Sequence, residues 1–596
     1  MCLRIPGRFL SVVFAVLLPA ALACASPEIE VRVTGVEGEI LNNVQLWLGL
    51  SEYVSKGAVE SLTGLFGKSS AQQPPDERQI RSLHGRAGDD IRAALQPFGF
   101  YSPQITSSLR QEGDRWIASY HIEPGPPTLL ESVNVRVQGE GAEDQSVRQA
   151  LAASELRTGE RLDHRRYDEL RKSLLKAAFR GGHLDAHYLR SELRVMPDRQ
   201  RAEAELILET GPRYLFGSVT IEQEILDPDF VSRYVGIHTG EPFDQDRLLE
   251  LQLALGDSGY FDSVEIDVRR ADTEDLQVPV VVHTSPSPYV RYSAGVGFAT
   301  DTGPRLSLGA AFRRLNSRGH GLRTDLRVSP VEQNIGLQYQ VPIRNLLTDR
   351  LIYSASLDNA VVADTGDSKR LRLGVSQNIS WGKYKRRLYA DVQHESFSLG
   401  NDIDTVNFII PGINLGRVHA DDVLFPRRGY SWNADLRGAA GVLSDTRFVR
   451  IETTLRGVYP LGGKARLIGR TALGAINVDD FSLLPTSERF FAGGDQSVRG
   501  YGYQELAPVD SSGEIVGGQY LATVSLEMDY LFFGNYGAAV FVDAGNADNV
   551  FPPEPKAAAG AGFRWRTPVG MFRLDVAHPF DSLEKYRIHI SIGPEL

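Results

Sequence analysis

Cysteine is nearly absent from this 596-residue chain, which contains only Cys2 and Cys24. Both lie within the first 25 residues, which excludes a disulfide framework for the rest of the chain. The same segment has Arg4 and Arg8, then an apolar run over 9–22, then Ala-Cys-Ala. This order predicts a secretory signal peptide over 1–25, which is removed on export. The alternative is a lipoprotein signal in which Cys24 carries the lipid.

Long apolar runs and an excess of basic residues are lacking as well. After residue 25, no stretch reaches the ~18 apolar residues of a membrane helix, although 42% of the chain is apolar. Without Arg4 and Arg8, 62 basic residues face 75 acidic ones, a net charge of −13 that argues against a nucleic-acid surface. A membrane β-barrel stays possible, because its strands show apolar side chains to lipid only at every second position.

Residues 26–287 contain a repeat that occurs three times. Each copy has an apolar helical stripe, then a glycine, then a strand with alternating residues. The stripes are Ile80, Leu83, Ala87, Ile91 and Leu95; Tyr167, Leu170, Leu174 and Ala178; and Leu248, Leu251 and Leu255. The glycines are Gly99, Gly182 and Gly259. We therefore predict three α+β modules at 26–127, 128–212 and 213–287, each large enough to bury a core.

From residue 288 to 596 the pattern changes to alternation of apolar with polar or small residues. Near the start the apolar positions are Tyr292, Ala294 and Val296, and near the end they are Ile588, Ile590 and Ile592. A soluble β-sandwich would give the same pattern. The export signal and the lack of amphipathic helices favour a transmembrane antiparallel β-barrel. At roughly 19 residues per strand and turn, it would have about 16 strands.

The most distinctive motif is FFAGGDQSVRGY at 490–501. It places Arg499, Gly500 and Tyr501 directly after a glycine-rich turn. Glycine permits a close approach of the backbone, and a guanidinium brought into an interior needs a carboxylate partner. The alternative is an arginine on an exposed loop.

These motifs resemble the BamA/TamA superfamily of outer-membrane POTRA-barrel proteins. Further matches are the turn FPRRGY at 425–430 and the segment GAGFRWRTPVGMFRLDVAHP at 560–579. The resemblance implies that the three modules are periplasmic POTRA domains and that the arginine-bearing loop folds into the barrel lumen. Three modules and the sequence TDTGPR at 300–305 are similar to the TamA branch. Leu596 departs from the aromatic end that most barrels of this export route have.

In this superfamily the loop arginine pairs with the aspartate of a strand motif, which matches FVDAG at 541–545. Phe541, Asp543 and Gly545 share one strand face. The resemblance therefore implies a lumen pair of Arg499 with Asp543. We expect a wet lumen to reduce the cost of breaking this pair, and a charge swap of the two residues to rescue part of the defect.

The resemblance also implies a function in the outer membrane. It implies insertion or export of client outer-membrane proteins and autotransporters, together with a TamB-like inner-membrane-anchored partner bound by the first POTRA domain at 26–127. Alternatives are a two-partner-secretion pore for one exoprotein and a part in phospholipid transport to the outer membrane. A diffusion porin would need neither the repeat nor the loop.

Client entry is expected at a seam between the first and last barrel strands. The first strand would contribute Tyr292, Ala294 and Val296, and the last would contribute Ile588, Ile590, Ile592 and Gly593. Pro594 has no N–H and would shorten the pairing of the last strand. Cysteines at Tyr292 and Ile590 are expected to lock the seam, although the sequence does not fix the register of the two strands.

Weaker motifs support no enzymatic activity, cofactor or metal site. Gly256-Asp257-Ser258-Gly259 lacks a placed histidine base, and it coincides with the end of a repeat helix. His183 and His187 flank Asp185, which is a possible metal spacing but lies at a repeat junction. Gly295-Val296-Gly297 lacks the third glycine and the helix of a dinucleotide loop.

Overall fold

The computed structural model describes residues 28–53, 75–113, 115–364, 366–422, 424–567, 570–581 and 586–593. The predicted signal peptide, Cys24, Pro594 and Leu596 lie outside these ranges. Contacts divide the chain into two units, Met1–Leu215 with Glu241–Asp246, and Phe216–Gly240 with Arg247–Leu596.

The first module has a three-stranded sheet in the order β1-β3-β2, in which β1 and β3 are parallel and β2 and β3 antiparallel. Helix α2 begins with a capping box at Asp76 and buries Ile80, Ala87, Ile91 and Leu95. The apolar stripe follows the predicted pattern, and Gly99 ends the 3₁₀ turn that continues the helix. The elements are β1 Glu28–Thr34, α1 Gly38–Trp47, α2 Glu77–Leu95, β2 Gln104–Glu112 and β3 Arg115–Glu123.

The second and third sheets repeat this topology, in the orders β4-β6-β5 and β7-β9-β8. In the second, alternate residues of β6 are buried together with one face of α4, because the strand and the helix share the core. The elements are β4 Leu129–Gln138, α3 Gln145–Ala152, α4 His164–Arg180, β5 His187–Met196, β6 Arg201–Glu209, β7 Leu215–Glu222, α5 Pro228–Ser232, α6 Gln245–Asp257, β8 Phe261–Val268 and β9 Gln277–Pro286.

Two of the repeat glycines make the same contact at successive junctions. Gly99 and Gly182 have φ angles of +81° and +90°, a region that side chains disfavour. A Cβ atom on Gly99 would lie 2.5 Å from the carbonyl oxygen of Leu162. A Cβ atom on Gly182 would lie 2.5 Å from that of Phe243. Only glycine therefore allows the next segment of chain to approach so closely.

The second unit contains a sheet of sixteen antiparallel strands, β10 to β25, each paired with its neighbours in chain order. This is a nearly closed up-and-down barrel. The strands are β10 Val290–Ala299, β11 Gly303–Phe312, β12 Gly321–Val328, β13 Glu332–Pro342, β14 Arg350–Val362, β15 Gly366–Trp381, β16 Tyr384–Leu399, β17 Asp402–Ala420, β18 Gly429–Ala439, β19 Phe448–Pro460, β20 Ala465–Val478, β21 Tyr520–Phe533, β22 Tyr536–Asp548, β23 Lys556–Thr567, β24 Gly570–Pro579 and β25 Arg587–Gly593.

The barrel wall has an apolar outer face and a polar inner one. On β21, Val524 and Leu526 are about half exposed, whereas Ser525 and Glu527, which alternate with them, are buried. This alternation is what lipid outside and a filled interior require. Among the helices in the described ranges, none combines the length and apolarity needed to cross a membrane.

Candidate functional site

The loop that joins β20 to β21, residues 479–519, lies against the inner face of the barrel. Isolated bridges Phe490–Gly518 and Ala492–Leu506 fold it back on itself. Its Phe490, Val498 and Tyr501 are buried in one apolar cluster with Phe408 on β17 and with further strand residues. The loop is therefore a packed plug of the interior and not a solvated segment.

Arg499, at the tip of this loop, is 2% exposed and is surrounded by carboxylates. Its Nε lies 2.7 Å from Oδ2 of Asp543, and its Nη2 lies 3.0 Å from Oδ1. Its Nη1 donates to Glu527 at 2.6 Å and to Asp575 at 3.1 Å. The guanidinium carbon lies 3.4 Å from the ring centroid of Phe541. The structure thus brings together the residues of both motifs.

A second arginine, Arg564 on β23, completes the network. Its Nη2 donates to Glu527 at 2.7 Å and its Nη1 to Asp575 at 2.5 Å. Side chains of all five ionic groups are at most 5% exposed. Arg470 donates to the hydroxyl of Ser525, which also accepts from Arg499. Three arginines and three carboxylates therefore lie together at this site.

This burial bears on two of the expectations drawn from the sequence. Arg499 is 2% exposed, so solvent should reduce the cost of losing the guanidinium less than in an open lumen. A charge swap with Asp543 would also place a carboxylate at the tip beside Glu527 and Asp575. Repulsion from those two groups would oppose the expected rescue.

The glycines of the two motifs are required by space. Gly500 has a φ of +99°, and a Cβ atom there would lie 3.1 Å from that of Ala558. Gly545 has a φ of +152°, and its Cβ atom would lie 2.4 Å from the carbonyl oxygen of Ala522. Tyr501 is 3% exposed, which places its ring inside the packed interior.

Further ion pairs fix the base of the loop. Arg489 donates to Asp402 at 2.7 Å, and Arg437 donates to Glu488 at 2.8 Å. Glu395 on β16 is fully buried and accepts hydrogen bonds from Ser368, Gln393, Thr486 and Ser487 at 2.6–3.0 Å. The loop is therefore held at its base as well as at its tip.

The buried pair of Arg466 and Asp529 anchors the turn FPRRGY at 425–430. Nε of Arg466 lies 3.0 Å from Asp529, and its Nη1 donates to the carbonyl oxygen of Pro426 at 2.6 Å. Pro426 belongs to the FPRRGY turn, so this pair connects the turn to β20 and β21.

Asp301, Asp495 and His589 form a second polar cluster, which joins the loop to both ends of the sheet. One ligand atom from each lies within 4.8 Å of the others, a set that could hold a cation. However, Nε2 of His589 accepts the N–H of Gly500 at 2.9 Å, which assigns the proton of the neutral ring to Nδ1. Nδ1 lies 2.5 Å from Asp495. A metal would have to displace that proton, so the set fits a hydrogen-bonded cluster better than a metal centre.

The first and last strands meet only briefly. Thr300 N donates to the carbonyl oxygen of Ile590 at 3.2 Å, and Ile590 N donates to Oγ1 of Thr300 at 3.1 Å. Within the described part of the chain, β10 and β25 form no ladder. On the outer face Tyr292, Val296 and Ile588 are 78%, 88% and 56% exposed.

The register of this contact does not pair Tyr292 with Ile590, the two positions named for a cross-link while the register was unknown. The sixteen-strand order makes β10 and β25 antiparallel, with Thr300 level with Ile590. Tyr292 is then level with positions beyond Gly593, where the described part of β25 ends. The remaining predicted seam residues, Ala294 and Ile592, lie on β10 and β25.

The side chains of the weaker motifs form hydrogen bonds with neighbouring residues of the fold. His183 is buried, with Nε2 3.0 Å from Asp144 and Nδ1 3.2 Å from the carbonyl oxygen of Gly211. Nδ1 of His187 bonds instead to the backbone of Asp185. Ser258 donates to the carbonyl oxygen of Leu255 at the end of α6. Neither pattern forms a catalytic or metal-binding arrangement in the described residues.

Repeated α+β modules, a sixteen-strand barrel and an arginine loop in its interior define an outer-membrane POTRA-barrel protein, with the modules in the periplasm of a Gram-negative cell. Residues 315–595 match the Omp85 superfamily domain. Residues 30–124 match the model "POTRA domain TamA domain 1", and 214–286 match the model POTRA, "Surface antigen variable number repeat". The chain is thus a member of the BamA/TamA-type superfamily.

Two relatives found by sequence carry the name "Outer membrane protein assembly factor BamA". That of Nitratidesulfovibrio vulgaris is 24% identical over 372 residues, 59% of this chain and 46% of the relative. That of Neisseria meningitidis serogroup B is 22% identical over 492 residues, 68% of this chain and 60% of the relative. The chain therefore spans about half the length of the curated relatives it matches.

The crystal structure of BamA from Haemophilus ducreyi lacking POTRA domains 1–3 has a similar fold. Its TM-score is 0.68 at 15% identity, and the match covers 78% of this chain and 99% of that one. At this identity the likeness concerns the fold.

Proposed function

We propose that this chain inserts or exports β-barrel or autotransporter proteins through the seam between β10 and β25, as an assembly factor and not as an enzyme. The observation that carries the proposal is the brief contact at Thr300 and Ile590, with no ladder between the two strands in the described ranges. An unpaired strand edge is a template for another extended chain. The assembly role named for the relatives supports the same reading.

The proposed role of the arginine network is to keep the loop docked while client proteins pass through the seam. Asp495 belongs to the loop and lies 2.5 Å from His589 on β25, and Thr300 bonds to Asp495 at 3.4 Å. The loop therefore contacts residues at both sides of the seam. A loop fixed by Arg499 and Asp543 would set the seam's resting position.

The seam proposal is tested with a disulfide between Thr300→Cys and Ile590→Cys. The matched control is Ala310→Cys with Thr324→Cys, which joins the register partners of β11 and β12. We expect the oxidised seam variant to lose client assembly in depleted cells and to regain it on reduction. The control should stay active in both states. Normal client assembly by the oxidised seam variant would refute the gate.

We further propose a TamB-like inner-membrane-anchored partner that binds the first POTRA domain, 26–127. Support comes from the match of 30–124 to the first TamA POTRA model. The end of α1 also exposes apolar surface, with Leu46 and Trp47 at 81% and 51%. Exposed side chains of this kind favour a protein contact.

A photo-crosslinking residue at Trp47 should capture the partner in cells. The control position is Leu189 on β5, which is 52% exposed but belongs to the second module. Equal capture from both positions, or from neither, would contradict binding by the first domain.

An inventory of outer-membrane proteins and lipids after depletion separates the alternative functions. Loss of several barrel proteins supports the assembly role. Loss of one secreted protein indicates a dedicated exoprotein pore, and altered phospholipid content with normal barrels indicates phospholipid transport.

A further inference from the structure

A cavity of about 660 Å³ lies inside the barrel between the loop and the wall, apart from the Arg499 network. Its lining includes five arginines and three carboxylates: Arg305, Arg450, Arg456, Arg489, Arg573, Asp301, Glu452 and Asp495. Arg489 is already paired with Asp402. The remaining lining carries charged groups of both signs.

Arg450 on β19 is the unusual member of this lining. It is 6% exposed, and its Nη2 lies 2.9 Å from Glu452. Its Nε and Nη1 are buried and have no hydrogen-bond partner in the described part of the chain. A buried guanidinium with two unused donors is costly unless something accepts from them.

The other buried arginines of the interior do not share this property. Arg499 and Arg564 each donate to at least two carboxylates. Arg489 donates to Asp402 and to four backbone carbonyl oxygens. Arg372 also has a buried Nε without a partner in the described residues, but Arg450 lacks partners at two nitrogens, Nε and Nη1.

The loop holds the Arg450 guanidinium in position. Its carbon lies 4.3 Å from the ring centroid of Phe490. That ring fills the space over Gly474, where a Cβ atom would lie 2.3 Å from it. Arg450 is therefore kept at the cavity wall by the loop.

We propose that this cavity binds a phosphate group, with Arg450 as its principal ligand. Arginine donates charge-assisted hydrogen bonds to phosphate oxygens, and a phosphate has more acceptor oxygens than a carboxylate. The lining provides several further polar groups on the loop, namely Gln496, Ser497 and Gln504. The phosphate could be free inorganic phosphate or part of a lipid headgroup. This site does not depend on the proposed function.

The test is calorimetric titration of the full chain, purified in a phosphate-free, non-ionic detergent. The probes are inorganic phosphate and, separately, soluble dihexanoyl phosphatidic acid. We expect saturable binding of at least one probe, and Arg450→Gln should weaken it by about tenfold or more, because a charge-assisted bond is lost. Arg450→Lys, which keeps the charge, should give an intermediate affinity.

The matched control is Arg372→Gln on β15. Nε of Arg372 also lacks a partner in the described residues, but it lines a different cavity. The Arg372→Gln variant should bind the probe with the same affinity as the unmodified chain. The heat-shift on a gel checks that each variant is folded. If Arg450→Gln is not folded, Arg450→Lys takes its place in the comparison.

Binding of inorganic phosphate assigns the site to the free ion, and binding of the phosphatidic acid alone assigns it to a lipid headgroup. The proposal is overturned if neither probe binds. Nε and Nη1 of Arg450 would then donate to water in the lumen. It is equally overturned if both Arg450 variants bind as well as the unmodified chain, or if Arg372→Gln weakens binding as much as Arg450→Gln does.

Discussion

Replacing Arg499 by alanine should destabilise the docked loop by about 3–5 kcal/mol, the range for removing one partner of a buried ion pair. Glu527 and Asp575 keep Arg564 as a partner at 2.7 and 2.5 Å. Asp543 loses both side-chain bonds and, among the described residues, keeps the backbone N–H of residue 499, which lies 3.0 Å away. The cost therefore arises mainly at Asp543.

This distribution of partners predicts an asymmetry. Asp543→Asn removes one charge but leaves Arg499 with two other carboxylates, so it should cost less than Arg499→Ala. In the double variant, the neutral amide at position 543 no longer needs a cation. The double variant should then be more stable than the sum of the two single effects predicts.

The assay is urea unfolding of the detergent-purified chain, with protease cleavage of the loop as a second measurement. The matched control is Arg447→Ala, which breaks a pair with Asp479 of 2.9 Å whose side chains are 66% and 58% exposed. That change should cost about 1 kcal/mol or less. Equal losses from Arg499→Ala and Arg447→Ala, or a larger loss from Asp543→Asn than from Arg499→Ala, would refute the reasoning.

Three further changes have defined outcomes. Arg466→Ala should lower the unfolding free energy by about 3–5 kcal/mol, because Asp529 is fully buried; urea unfolding measures this, and a loss near zero would contradict it. Gly500→Ala should raise the rate of protease cleavage in the loop, because its Cβ atom has too little room beside Ala558; an unchanged rate would count against the packing. Gly182→Ala should lower the free energy of unfolding more than Gly159→Ala does. Both glycines have φ near +90°, but of the two Gly182 is the one that faces a backbone oxygen. Equal unfolding free energies of the two variants would show that the contact is unimportant.

Local patterns in the sequence were sufficient to predict the helices and strands. The stripe Ile80, Ala87, Ile91 marks the buried face of α2, and alternation marks the strands, because both depend only on residues close in the chain. The sixteen strands follow from the length of the alternating region. The contact of Arg499 with Asp543 was found through a resemblance and not from spacing.

The rest of the site depends on strand register, which the sequence does not specify. Glu527, Arg564 and Asp575 lie on three different strands and meet only once β21 to β24 are aligned. A signal did exist, since each is a charged residue at an inward position of an alternating strand. The seam register could not be predicted for the same reason, because the position of Thr300 relative to Ile590 is fixed by the whole sheet.

The matching contacts of Gly99 and Gly182 have an evolutionary consequence. Both junctions use one geometry, in which a left-handed glycine faces a carbonyl oxygen at 2.5 Å. A duplicated module placed at such a junction would therefore have to bring its glycine with it, because a side chain there would collide with the backbone of the next segment.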